Sequence, residues 1–123
     1  VIIGVLATLL MANFVGIRQR ARDGQRKANL RQIQAALELY RADQGSYPTS
    51  QLPACNSPFT GGSPQVTYMT KIPCDPLGGS YTYSYANNGY TLVACLENSN
   101  DIDASITACG TNNTGRTYTL NNP

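Results

Sequence analysis

The pattern of apolar and polar positions divides the chain into unequal parts. From Val1 to Ile17 no residue is charged, and Thr8, Asn13 and two glycines are the only members that are not apolar. From Arg18 the pattern turns basic: Arg18, Arg20, Arg22, Arg26, Lys27 and Arg31 crowd a stretch rich in helix-forming residues. An apolar block running straight into a basic block predicts one long helix. Its first half belongs in hydrocarbon or against other apolar helices, and its second half belongs in water. Within that second half Leu30, Ile33, Leu37 and Tyr40 fall on one helical face and should pack against whatever follows. Ala21, Gly24 and Ala28 form a second, small-residue stripe. Either a neighbouring helix approaches there, or Gly24 is only a weak point costing ~1 kcal/mol against alanine.

Gln44-Gly45-Ser46-Tyr47-Pro48 predicts the end of the helix, because glycine supplies a left-handed cap and proline forbids continuation. Pro53, Pro58, Pro64 and the Gly61-Gly62 pair then predict a loop too rich in breakers for long regular structure. Val66 to Lys71 holds at most a short turn before Ile72-Pro73-Cys74-Asp75-Pro76. Beyond it the period becomes two. Tyr81, Tyr83 and Tyr85 alternate with Thr82 and Ser84, and Asn87-Asn88-Gly89 is a hairpin signal leading into Tyr90 to Leu96. The tyrosines read as the half-buried face of a sheet. Glu97 to Thr107 reads as loop, and Arg116 to Leu120 as a last strand reached through Gly115. The expected organisation is a helix over 1–44, with an apolar half 1–17 and an amphipathic half 18–44, and a globular head over 45–123. The fold class is α+β, a long helix packed on a small antiparallel sheet of about three strands.

Cysteine usage adds covalent staples to this outline. Cys55, Cys74, Cys95 and Cys109 all lie in the head, whose size supports only a thin core. An even count there suits two disulfides and an oxidising compartment. The chain has no histidine and no CxxC pair, so the spacings match no zinc pattern. Pairing Cys55 with Cys74 and Cys95 with Cys109 closes the shortest loops, but it is one of three connectivities and spacing does not choose among them.

The net charge of +2 matters less than its distribution. Basic residues dominate up to Asp43, whereas beyond it Lys71 and Arg116 face Asp75, Glu97, Asp101 and Asp103. Basic residues beside an apolar segment normally face the cytoplasm, yet disulfides place the same polypeptide outside. The apolar block is therefore not an ordinary signal anchor. It also lacks a charged region before it and a small-residue cleavage site after it, and falls short of the ~20 residues of a spanning helix. The sequence reads as beginning inside the apolar segment.

Catalytic chemistry has little to stand on. Without histidine there is no Ser-His or Cys-His pair, and no glycine-rich loop sits between a strand and a helix. Asn98, Asn100, Asp101 and Asp103 offer oxygen ligands at the short spacing calcium favours, without forming an EF-hand pattern; a solvated acidic loop is the preferred reading of them. The basic run has little aromatic interleaving, which argues against nucleic acid as its partner.

Four stretches in order carry a resemblance. Ile2-Ile3-Gly4-Val5-Leu6-Ala7 looks like the hydrophobic signature of type IV pilins and type II secretion pseudopilins. Arg26-Lys27-Ala28-Asn29-Leu30-Arg31-Gln32-Ile33, continuing to Leu37-Glu38-Leu39-Tyr40, resembles the amphipathic half of their shared helix. Gly45-Ser46-Tyr47-Pro48 resembles the helix exit, and Ile72-Pro73-Cys74-Asp75-Pro76 is similar to the turn before the sheet. The resemblance implies a prepilin trimmed by a dedicated prepilin peptidase and methylated at a new N-terminal phenylalanine, with a nearby glutamate assisting assembly. Neither residue is present here, and Ala12 stands where the family often has proline. It also implies residence in the cytoplasmic membrane before assembly, inner-membrane assembly machinery, and in some members calcium near the C-terminus or a part in DNA uptake.

The expected function is that of a structural subunit, a major pilin polymerising with itself into an extracellular helical type IV pilus. Val1, Ile2, Ile3, Val5, Leu6, Leu9, Leu10, Phe14 and Ile17 would form the filament core. The alternatives are the major pseudopilin of a type II secretion system and, from another class, a membrane-anchored monomeric binding module. Only the last should stay monomeric in detergent.

Overall fold

The computed structural model describes residues 1–123, apart from the side chains of residues 11–13 and 15. Helix α1 runs unbroken over Ile2–Gln44, about 65 Å at 1.5 Å per residue. It ends at Gly45, whose left-handed φ of 84° aims its N–H at the Arg41 carbonyl, 2.8 Å away. Gly24 is accommodated with open space around it.

The head packs on one face of the upper half of α1. Strands β3 (Thr82–Ala86), β4 (Gly89–Leu96), β5 (Ala108–Cys109) and β6 (Gly115–Asn121) form an antiparallel sheet in the order β3-β4-β6-β5. Asn87 and Asn88, both at positive φ, make the tight turn between β3 and β4, with Ala86 opposite Gly89. Strand β4 is the central element, and its alternation puts Tyr90, Leu92, Ala94 and Leu96 into the core. These meet Leu30, Ile33, Ala36 and Leu37 of α1, with Tyr47, Ile72, Tyr83 and Tyr118 filling the rest.

Tyr47, Tyr83 and Tyr90 are buried in the core with their hydroxyls hydrogen-bonded. Tyr47 and Tyr90 meet edge to face, with ring centroids 4.7 Å apart, and both hydroxyls donate to the Glu38 carboxylate. The Tyr83 hydroxyl donates to the Pro48 carbonyl at 2.6 Å, and burial pushes this phenol up to about 12.

Two departures from the sequence reading stand out. The segment read as loop contains strands β1 (Phe59–Gly61) and β2 (Val66–Met69), paired as a separate hairpin. Its breakers, Gly62 and Pro64, are the turn itself, and Phe59 stacks on Tyr40 with centroids 5.4 Å apart. The main sheet also gains β5, two residues beside the start of β6. Disulfides join Cys55 to Cys74 and Cys95 to Cys109. The first ties the loop after the helix exit to the Ile72–Pro76 segment. The second closes the base of the 97–107 loop.

Candidate assembly surface and the latch beside it

Among the described residues, the lower half of α1 has nothing packed on it. Val1, Ile2, Ile3, Val5, Leu6, Leu9, Leu10, Phe14 and Ile17 are all exposed, the least of them, Phe14, at 50%. At 3.6 residues per turn these side chains spread over about 220° of the helix circumference, a wider face than Leu30, Ile33 and Leu37 present to the head. Fully burying such a side chain is worth about 1.5–3 kcal/mol, so the set represents a large unrealised stabilisation. Among the described residues, no helix is long and apolar enough to cross a membrane.

The upper half is held differently. Leu30, Ile33 and Leu37 are buried against the head, and Tyr40 is half-buried against Phe59 and Tyr68. One turn below them lies a set of ion pairs that the sequence reading did not assemble. The Arg26 side chain is 3% exposed and bonds three carboxylates. Its Nε and Nη2 bind Asp75 at 2.7 and 3.0 Å, and its Nη1 reaches Asp23 at 2.9 Å and Glu97 at 2.8 Å. Arg22 grips Glu97 through a second fork at 2.6 and 2.9 Å. Asp23 in turn accepts the backbone N–H groups of Glu97 and Asn98, at 2.8 and 2.9 Å. The latch therefore fastens the end of β4 and the Ile72–Pro76 turn to one turn of α1. Asn29 adds bonds to the Cys74 carbonyl and the Tyr81 hydroxyl.

Electrostatics follow from this geometry. The Arg22 fork, joined by Arg26, holds the Glu97 carboxyl below the usual range against the opposing effect of partial burial. Burial opposes the Arg26 charge, but the hydrogen bonds it donates to Asp75 and Glu97 outweigh it and raise its pKa. No buried polar side-chain atom lacks a partner among the described residues.

Of the candidate calcium ligands, Asn98, Asp101 and Asp103 are engaged within the chain. Lys27 Nζ lies 2.7 and 2.9 Å from the two Asp101 oxygens and 2.8 Å from Asp103 Oδ2. Asn98 Oδ1 accepts the Asn100 N–H at 3.1 Å. The carboxylates thus converge on an ammonium rather than on an open centre, and among the described residues no group of Asp, Glu, His or Cys gathers as a metal site. Burial opposes ionisation of Asp101, but Lys27 and the Asp103 N–H hold its carboxyl below the usual range.

The signal for this latch was present in the uneven charge distribution. Arg22, Arg26 and Lys27 of the basic stretch and Asp75, Glu97, Asp101 and Asp103 of the head are partners, not separate outward-facing surfaces. Only the pairing was hidden, because Arg26 and Asp75 are 49 residues apart and Lys27 and Asp103 are 76 apart.

The family model described as type II secretion system, protein G, matches residues 13–102. Core protein G of the type II secretion system of Pseudomonas aeruginosa is 34% identical over 91 residues, covering 68% of this chain and 63% of that protein. The Klebsiella pneumoniae protein of the same name is 33% identical over 88 residues, covering 66% and 63%. The Vibrio cholerae one is 29% identical over 89 residues, covering 68% and 61%. The chain thus spans a little under two thirds of the length of these relatives. No solved structure matches it significantly.

Proposed function

Because this chain belongs to the type II secretion system protein G family, we propose that it is the repeating subunit of a secretion pseudopilus, a structural rather than a catalytic protein. The observation that carries this reading is the uncovered apolar half of α1, Val1 to Ile17. A helix with so wide an apolar face has no stable arrangement as a monomer in water, and burial between copies is its simplest resolution. Identical contacts repeated head to tail give an open helix. In this reading the lower half of α1 is held in the inner membrane before assembly and moves into a periplasmic filament core. The head, fastened by the latch, forms the outside.

The relatives' secretion names favour this reading over the extracellular surface pilus expected from the sequence. The two differ in what is lost without the protein. Removing the chain from producing cells should leave secreted proteins trapped in the periplasm while surface pili persist. Loss of surface pili with secretion intact would restore the pilus reading. Leu6→Arg in the full chain should abolish filaments and leave the head folded, since a charge in a water-free helix bundle is costly. Normal filaments from this variant would remove the apolar half from the core.

A further inference from the structure

The loop over 97–107 carries the most exposed large apolar side chains of the head. Ile102 is 96% exposed and Ile106 is 97% exposed. The loop that bears them is well fastened. Lys27 holds Asp101 and Asp103, the Ser105 N–H donates to the Thr117 carbonyl at 2.8 Å, and the Cys95–Cys109 disulfide closes its base. Two isoleucines on so constrained a loop are a preformed contact whose ordering cost has already been met within the chain.

A second exposed surface matches it. On the side of α1 away from the head, Ala28, Arg31, Ala35 and Leu39 fall on one helical face and are all exposed, Leu39 at 58%. Arg31 has no carboxylate partner among the described residues. On the loop, the Asp103 side chain is 54% exposed and engages Lys27 through one oxygen only. Each surface therefore offers apolar side chains beside a charge of opposite sign. The two lie on different parts of the molecule, so their contact is heterologous and propagates instead of closing.

We infer that the 97–107 loop of one copy packs through Ile102 and Ile106 onto the Ala28–Leu39 face of the next copy's α1, with Asp103 facing Arg31. This rests on the polymer reading above and adds to it a contact between heads, separate from the apolar half of α1. Its occupant is a second copy of this chain.

The test uses the full chain assembled by its own machinery in producing cells. Ile102→Asp with Ile106→Asp should lower filament yield by more than about tenfold, the equivalent of losing one buried aliphatic contact per interface. The urea midpoint should not move, because neither side chain is packed in the monomer. A second variant, Ala35→Cys with Ile106→Cys, should give a covalent ladder of dimers, trimers and higher species that neither single variant gives. Arg31→Asp and Asp103→Arg should each fail alone and assemble when co-expressed, since a mixed polymer can set opposite charges together. Unchanged filament yield from the isoleucine variant, or no ladder from the cysteine pair in normal filaments, overturns the inference. Normal filaments with lost secretion would assign the loop to a different protein and overturn the second-copy contact. Absence of filaments from the unaltered chain would instead sink the polymer reading itself.

Discussion

Leu6 and Leu37 sit on the same unbroken helix, yet Leu6 is 54% exposed and Leu37 is wholly buried. The difference lies in what surrounds them. Around Leu37 the helix is amphipathic, so one face meets the sheet and the other meets water. Around Leu6 the apolar side chains spread over about 220° of the circumference, and a single head could cover only part of it. The charged turn at Arg22 to Lys27 marks the boundary, because there the head fastens itself by ion pairs and stops. One helix thus separates apolar contacts completed within the chain from apolar surface that the chain leaves uncovered.

Breaking the latch should have the largest effect on the upper half. Arg26→Ala leaves Asp23, Asp75 and Glu97 short of their shared cation, and should destabilise the head by about 3–5 kcal/mol in chemical denaturation. Leu37→Ala should cost about 3 kcal/mol by the same measurement, through lost burial and a residual cavity. Cys95→Ser with Cys109→Ser opens a loop of sequence separation 14 and should cost about 2–3 kcal/mol, loosening the 97–107 loop while α1 stays helical by circular dichroism. Acid should erode the latch more gradually. Glu97 and Asp101 have folded pKa values below their ordinary 4.5 and 3.8, so their stabilisation is complete above about pH 4.5 and is lost as pH falls through the folded values. The urea midpoint should therefore be flat from pH 8 to 5 and decline below about pH 4.5, and Glu97→Gln should flatten that decline. Leu6→Ala, the smallest change, should alter head stability by less than about 0.5 kcal/mol. A cost for Leu6→Ala near that of Leu37→Ala would erase the distinction between the two halves.

Features with a local period were legible in the sequence. The helix, its stop at Gly45, the Leu30–Tyr40 face, the tyrosine alternation and the Asn-Asn-Gly turn all depend on neighbours a few residues apart. The β1–β2 hairpin was not legible, because a three-residue strand has no period to detect and its glycines and proline also signal loop. The latch escaped for a different reason. Charge totals showed that helix and head were opposite in sign, but which carboxylate meets Arg26 is decided by the path of the whole chain. The nine exposed apolar residues of the lower half could be named from their unbroken run alone. The 97–107 loop read as a polar connection with candidate calcium ligands, and nothing in its spacing tells that Ile102 and Ile106 face outward.

Lys27 has a consequence for how the loop behaves in a changing medium. It is a cation tethered by its own side chain, so its effective concentration at Asp101 and Asp103 is set by geometry and not by the surrounding solution. A diffusible counterion would be diluted away whenever the surrounding solution changed, whereas this one stays with the chain. Screening by salt can weaken the attraction, by an amount limited by the partial burial of the pair. The loop therefore carries its own ionic atmosphere, and its shape is inherited from the fold.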